Sequence, residues 1–101
     1  MVRRKLDPIV PGEILRKEFM EPLGISQNKL ARDIDVPVTR IGDILHGRRA
    51  ITPDSALRLA VYFGTTPEFW LNLQTRYDLK ISKRELLPAI EKTVQPLRNA
   101  S

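Results

Sequence analysis

Apolar residues recur every three to four positions along most of this chain, and no segment alternates between apolar and polar residues as a strand does. This period predicts an all-α fold. The bounds of the helices follow from proline at a first helical position, serine or threonine just before a helix and glycine just after it. We predict five helices, over residues 11–20, 27–33, 38–46, 53–63 and 67–78.

The second and third predicted helices are the most informative part of the pattern. Ser26 is the expected N-cap of the second helix, residues 34–37 form a short turn, and Gly47 is the expected left-handed end of the third helix. Two short helices joined in this way can place the second of them in the major groove of DNA. An ordinary helical hairpin is the alternative. The predicted inward residues of the pair are Leu30, Ala31, Ile34, Ile41, Ile44 and Leu45.

The start of the chain differs from the periodic region that follows it. Pro8 and Pro11 resist helix continuation, so residues 1–10 are predicted to form an extended N-terminal arm. Residues 11–80 are predicted to form one helix-turn-helix DNA-binding domain.

The periodic pattern weakens toward the end of the chain. We predict a short C-terminal extension over residues 81–101, in which Ser82 is a possible cap for one more helix. Pro88 and Pro96 limit any long continuation, and residues 99–101 are expected to be frayed.

Large apolar side chains are concentrated on the fifth predicted helix. At helical spacing they are typical of a core or a subunit contact, and a ligand pocket is the less favoured interpretation. Because a chain of 101 residues buries only a small core, we predict a homodimer joined by this helix and the tail. The candidate dimer contacts are Phe69, Trp70, Leu73 and Tyr77.

Composition and charge narrow the class of protein. The chain has no cysteine, which excludes disulfides and thiolate metal sites and suits a reducing cytoplasm. No apolar stretch approaches the ~20 residues that span a bilayer, and Asp7 and Pro8 stand where a signal peptide would be apolar, so we expect a cytoplasmic protein that does not enter membranes.

The net charge of +5 is carried mainly by the two ends of the chain. Residues 21–81 contain eight basic and seven acidic side chains and are nearly neutral. A DNA-binding face must therefore come from local clustering of basic residues. On charge alone, an excess that only keeps the protein soluble is the alternative.

Three residues on the outward face of the third predicted helix are expected to face DNA bases: Val38, Thr39 and Asp43. The Thr39 hydroxyl can hydrogen-bond a base edge, and Val38 can pack against a thymine methyl. The Asp43 carboxylate can accept from cytosine N4, or it can repel phosphate. A solvated surface is the alternative for each residue.

Phosphate contacts are expected from residues on and around the same two helices. Gln27 opens the second helix, where backbone N–H groups can meet a phosphate. Arg40 can reach guanine or the backbone, and the adjacent Arg48 and Arg49 resemble a phosphate clamp. The candidate phosphate-binding residues are Gln27, Lys29, Arg40, Arg48 and Arg49.

The chain offers little for catalysis or metal binding. His46, the single histidine, is expected to interact with the end of the third helix and has no Cys or His partner for a metal. The carboxylates are scattered, and no glycine-rich phosphate loop is present. We predict no catalytic residue, no metal and no cofactor.

Seven segments together form a more specific pattern than the helix-turn-helix spacing. They are residues 11–15, 21–24, 26–27 with 30–31, 47–52, 56–59, 63–65 and 67–74, the last reading Pro-Glu-Phe-Trp-Leu-Asn-Leu-Gln. With these segments the chain closely resembles the HigA family of antitoxins, also named VapI-like, over about residues 8–80. That family lies within the repressor-type helix-turn-helix proteins.

The resemblance implies two roles. Members of the family bind and neutralise a HigB-type toxin, an mRNA-cleaving ribonuclease of the RelE kind, and as dimers they bind the operator of their own operon and repress it. The resemblance implies that Gln27, Arg40, Arg48 and Arg49 lie where members of this family contact phosphates. It also implies that the three base-facing candidates lie where members contact bases.

Two alternatives remain open from the sequence. The chain could be a stand-alone transcription regulator without a toxin partner. It could also be a protein-binding adaptor whose helix-turn-helix no longer meets DNA, an interpretation that Asp43 and the nearly neutral central region leave open.

Overall fold

The computed structural model describes residues 8–98, and within them it contains five helices and no strand. The predicted all-α fold is thereby confirmed. Most of the predicted arm, residues 1–7, and the predicted frayed end, residues 99–101, lie outside the described residues. The helices are α1 (Pro11–Ile14, Leu15–Met20 and Glu21–Leu23 in one continuous run), α2 (Gln27–Ile34), α3 (Val38–Leu45), α4 (Pro53–Phe63) and α5 (Pro67–Thr93).

The helix starts lie where the sequence predicts them. The Ser26 hydroxyl oxygen accepts a hydrogen bond from the Lys29 N–H at 3.1 Å, which makes Ser26 the N-cap of α2. Thr52 and Thr66 cap α4 and α5 in the same way. At the other end of α3, Gly47 has a φ of 75°, the left-handed conformation predicted for it.

The first helix continues through Leu23, three residues beyond its predicted end. Its middle part, Leu15–Met20, is π-helical, and the Glu21 N–H donates to the carbonyl of Arg16, five residues earlier. Pro22 has no N–H to donate and disturbs the usual bond to the residue four positions back. The wider π register before it allows the helix to continue for one more turn.

The fifth helix passes its predicted end at Asp78 and runs to Thr93. The prediction of a separate helix capped by Ser82 is therefore wrong, and Pro88 lies inside α5. The segment around this proline consists mainly of lysine, arginine, glutamate, leucine and alanine, which favour helix strongly enough to continue past one proline.

One hydrophobic core joins the five helices. The inward residues predicted for α2 and α3 are all buried, as are Ile51 in the following loop and Trp70 on α5. Beyond Ile81, by contrast, every described residue is exposed. The core residues are Leu15, Met20, Leu30, Ala31, Ile34, Ile41, Ile44, Leu45, Ile51, Ala56, Leu59, Ala60 and Trp70.

The backbones of α1 and α3 touch at Gly12. A Cβ added there would lie 2.1 Å from the carbonyl oxygen of Ile44 and 2.5 Å from the Cα of Leu45, far inside contact distance. A close approach of this kind requires glycine. The first helix therefore fixes the position of α3 through main-chain packing.

Candidate nucleic-acid interface

A tight turn connects α2 to α3. Asp35 follows α2 with a φ of 62°, a left-handed conformation unusual for a residue other than glycine. The Val36 N–H donates to the carbonyl of Ala31 at 3.0 Å, and the Val36 side chain packs against the core. This hydrogen bond and the packing of Val36 end α2 within two residues, so that α3 can begin at Val38.

An arginine from α4 holds this turn from outside. Arg58 Nη1 donates to the carbonyl oxygens of Ile34 at 2.9 Å and Asp35 at 3.2 Å, which are carbonyls left open where α2 ends. Arg58 Nε donates to the Asp54 carboxylate at 3.0 Å. Sequence reasoning missed this residue, because Arg58 and Ile34 are 24 positions apart and no local pattern connects them.

The first turn of α3 presents the predicted base-facing residues on its outer side. Val38 is 42% exposed although it is apolar, and Thr39 is exposed beside it. Asp43 lies one turn further along and is half-buried. The inward positions of the same helix are buried, so α3 has one face in the core and one face available for contact.

Three of the predicted phosphate-binding cations are paired with a carboxylate of the same chain. In each pair both partners are at least partly exposed, so water screens the attraction between them. The pairs are Lys29 with Asp33 at 2.9 Å, Arg40 with Asp54 at 2.7 Å and Arg48 with Asp43 at 3.1 Å.

These pairs change the titration of the groups that form them. Hydrogen bonds from Arg58 and then Arg40 lower the pKa of Asp54 below its ordinary value. Hydrogen bonds from Tyr62 and then Lys29 lower the pKa of Asp33. The same bond to Asp33 raises the pKa of Lys29. All three groups are therefore held in their charged forms at neutral pH.

The other two phosphate candidates flank α3. Gln27 is exposed at the first position of α2, and its side-chain oxygen lies 3.4 Å from where a Cβ on Gly42 would stand. Arg49 is exposed after α3, and its side chain has no carboxylate partner among residues 8–98. The N–H groups of Arg48 and Arg49 both donate to the carbonyl of Asp43, at 2.8 and 3.2 Å, which fixes the two arginines next to each other.

Two hydrogen bonds fix the end of α3 and the loop that follows. His46 Nδ1 lies 2.8 Å from the carbonyl oxygen of Gly42 and can donate to it in the Nδ1–H tautomer, which confirms its predicted role at the helix end. The Ile51 N–H donates to the side-chain oxygen of Gln74 at 2.8 Å. Sequence reasoning missed Gln74, since it is 23 positions away in α5.

The candidate dimer contacts differ in exposure. Trp70 is fully buried inside its own chain, where its Nε1–H donates to the Thr65 hydroxyl at 2.7 Å and its ring lies 4.8 Å from that of Phe19. Its assignment to a subunit contact is therefore wrong, because the side chain has no surface to offer. Leu73 and Tyr77 are half-buried, and Phe69 is 37% exposed.

No helix between residues 8 and 98 combines the length and the apolar character that crossing a membrane requires. Even α5, the longest at 27 residues, carries charged residues throughout its second half.

Comparison with known proteins gives consistent matches. A model of the helix-turn-helix family matches residues 17–70. An addiction module antidote protein of the HigA family from Coxiella burnetii is 52% identical, with a TM-score of 0.84 over 88% of this chain and 97% of that one. The Pseudomonas aeruginosa antitoxin HigA, solved with the higBA promoter, is 41% identical, with a TM-score of 0.88 over 91% and 100% of the two chains. Virulence-associated protein I of Dichelobacter nodosus is 45% identical over 83 residues, 82% of this chain and 77% of that protein.

Proposed function

This chain belongs to the HigA antitoxins within the helix-turn-helix family, and on that premise we propose that it binds the operator of its own operon as a dimer, represses that operon and neutralises a toxin. The family is one of regulators and antitoxins and not of enzymes. The observation that carries the proposal is the outer face of α3, which is exposed at Val38 and Thr39 while its other face is fixed in the core.

Residues around α3 supply both kinds of DNA contact in this proposal. Val38, Thr39 and Asp43 face the bases, and their donor, acceptor and methyl groups read the major-groove edges. The phosphate contacts come from Gln27, Lys29, Arg40, Arg48 and Arg49, and they orient the domain without reading sequence. The relative from P. aeruginosa, 41% identical, was solved with the higBA promoter, which supports DNA binding by this chain.

A dimer would place two copies of α3 about 34 Å apart, one turn of DNA, on a palindromic operator. Residues 79–93, which we call the exposed half of α5, are our candidate for the subunit contact, together with Phe69, Leu73 and Tyr77. Exposed leucines and isoleucines on a projecting helix are costly in water and gain stability when a second copy covers them. The exposed apolar residues of this half are Leu79, Leu86, Leu87 and Ile90.

The partner in neutralisation is a HigB-type toxin of the RelE kind, and both proteins would act in the cytoplasm. Membership of the HigA group supports this partner. Co-expression of the tagged chain with the product of the neighbouring reading frame, followed by purification, tests it. A complex of defined stoichiometry is expected. Purification of the chain without the neighbour would instead leave a DNA-binding regulator that has no toxin partner.

The DNA-binding proposal is tested with two variants and two duplexes. One duplex comes from upstream of the chain's own reading frame, and the other is a shuffled sequence of the same composition. We expect Thr39→Ala to lose about 1–3 kcal/mol of binding on the upstream duplex only, because it removes a base contact. The exposed Thr75→Ala on α5 is the matched control.

The double variant Arg48→Ala with Arg49→Ala has a different signature. It should weaken binding to both duplexes. The slope of log affinity against log salt concentration should become less steep by about 0.9 for each phosphate that the arginines no longer neutralise. Lys92→Ala with Arg98→Ala removes the same charge at exposed positions outside the apolar stripe of α5 and is the control. Equal losses on both duplexes for Thr39→Ala would contradict direct base reading, and no binding of the upstream duplex at low salt would favour the adaptor.

A further inference from the structure

The carboxylates that neutralise the DNA-facing arginines come from different parts of the domain. Asp43 lies on α3 itself, and its Oδ1 accepts from Arg48 Nε at 3.1 Å. Asp54 is in the first turn of α4, and its Oδ2 accepts from Arg40 Nη1 at 2.7 Å. Asp54 remains 54% exposed. Both carboxylates thus stand beside the proposed DNA surface without being buried in the fold.

These pairs contribute little to stability, but they matter for a polyanionic ligand. Water and salt screen an exposed ion pair, so it adds little to the stability of a fold. A DNA phosphate that approaches either arginine must share it with the carboxylate or displace that carboxylate, and it is repelled by the negative charge. The nearly neutral central region, with eight basic and seven acidic residues, fits the same distribution of charge.

We propose that Asp43 and Asp54 are specificity-determining residues, which compete with DNA phosphates for Arg48 and Arg40 and so weaken binding to DNA of arbitrary sequence more than binding to the operator. This inference rests on the proposed DNA-binding function. It assigns to the acidic residues of the interface a role distinct from that of its cations.

The difference between the two kinds of DNA follows from the geometry of arginine. A guanidinium has five N–H donors, and each of these pairs uses only one of them. In an operator complex of fixed geometry, the arginine can keep its carboxylate and bind a phosphate with the remaining donors. The affinity of a loosely bound complex on arbitrary DNA depends on the net positive charge that faces the DNA, and each carboxylate reduces that charge.

The test measures the binding of four proteins to the upstream and shuffled duplexes by fluorescence anisotropy at several salt concentrations. The proteins are the wild type, Asp43→Asn, Asp54→Asn and Glu91→Gln. Asparagine keeps the shape of aspartate and removes its charge. Glu91→Gln makes the same charge change at the exposed end of α5 and is the matched control. Circular dichroism melts confirm that each variant is folded at the temperature used.

We expect each Asp→Asn variant to bind the shuffled duplex about 5- to 10-fold more tightly near 0.1 M salt, with a salt slope steeper by about 0.9, as for one added phosphate contact. For Asp54→Asn the affinity for the upstream duplex should rise by less, and for Asp43→Asn it should fall, because the base contact proposed for Asp43 is lost. In both variants the ratio of the two affinities falls. Glu91→Gln should change neither affinity by as much.

Three results would overturn the inference. An increase no larger than that of Glu91→Gln would mean that only total charge matters. Weaker binding of both duplexes would mean that the aspartates position the arginines for DNA. An equal gain on both duplexes would remove the effect on specificity. In each case wild-type binding of the upstream duplex keeps the proposed function intact, whereas a wild type that binds neither duplex overturns both.

Discussion

The two halves of α5 belong to one continuous helix, but they are stabilised in different ways. The first half carries Trp70, which is fully buried and packs against the rings of Phe19 and Phe63. Gln74 in the same half holds the loop after α3. In the second half every described residue from Ser82 onward is exposed, and Pro88 interrupts the hydrogen bonds of the helix.

The two halves therefore illustrate two separate sources of helix stability, the packing of a buried face and the intrinsic helix propensity of the residues. An isolated helix of about 12–15 residues is only marginally stable in water, so most helix stability in proteins comes from a buried face. The first half of α5 has such a face inside the domain. The second half has an exposed apolar stripe instead, and a partner molecule would supply the missing packing.

The largest expected effect concerns the packed half. Trp70→Ala should lower the free energy of unfolding by about 3–5 kcal/mol, because it leaves a cavity among the aromatic rings and leaves Thr65 without its indole partner. Leu86→Ala, in the exposed half, should change it by about 0.5 kcal/mol or less when the chain is unfolded at a concentration that keeps it monomeric. Urea unfolding followed by circular dichroism measures both. Similar losses for the two variants would mean that the exposed half belongs to the folding unit.

The second prediction concerns the partner of the exposed half. Leu86→Asp with Ile90→Asp places two charges on the apolar stripe, and it should raise the dimer dissociation constant by more than about 10-fold. Analytical ultracentrifugation measures the change. Lys92→Glu, on the opposite side of the helix, is the control and should leave dimers intact. A double variant that dimerises like the wild type would place the subunit contact elsewhere.

Pro88→Ala should have a smaller effect, a gain in helix stability that is confined to the exposed half of α5. Alanine is favoured over proline inside a helix by about 3 kcal/mol, so amide protons of the second half should exchange more slowly. Stability of the domain should stay within about 0.5 kcal/mol of the wild type, because Pro88 lies outside the core. Hydrogen exchange resolved by segment and urea unfolding separate the two effects. A large gain in global stability would contradict this division of α5.

The smallest expected effect concerns how the stability of the packed domain, which contains Asp54, changes with pH. Folding lowers the pKa of Asp54 below its ordinary value of 3.8, so its ion pairs stabilise the fold above that pH. The stabilisation is lost as the pH falls through this value toward the lower folded pKa. Wild type should therefore melt at a higher temperature than Asp54→Asn at pH 7, and the difference should shrink toward pH 3. A difference that does not depend on pH would mean that Asp54 acts only through its shape.

Local signals in the sequence were sufficient for most of the fold. Ser26, Thr52 and Thr66 could be predicted as caps because an N-cap is satisfied by residues within the next turn. The continuation of α5 past Pro88 does not follow from such a local signal. A single proline disfavours helix at one position, whereas the many helix-forming residues around it favour helix together.

The site was predictable only in part. The periodicity of α3 separates its buried face from its outer face, which carries Val38 and Thr39. The partners of the arginines were not predictable, because Arg40 and Asp54 are 14 positions apart and meet only after α4 has packed. Periodicity also could not tell a core side chain from a subunit contact, and for that reason Trp70 was placed at the wrong surface.

The contact between Gly12 and the backbone of Ile44 has a consequence for how DNA recognition can change during evolution. The backbone contact at Gly12 and the buried residues of α3 fix the angle of this helix, so the side chains of Val38 and Thr39 take no part in aiming it. With Val38 and Thr39 at the bases as proposed, substitutions there would exchange one preferred base for another without tilting the helix. New operator preferences are accessible in single steps, whereas any side chain at Gly12 would misdirect the whole surface at once.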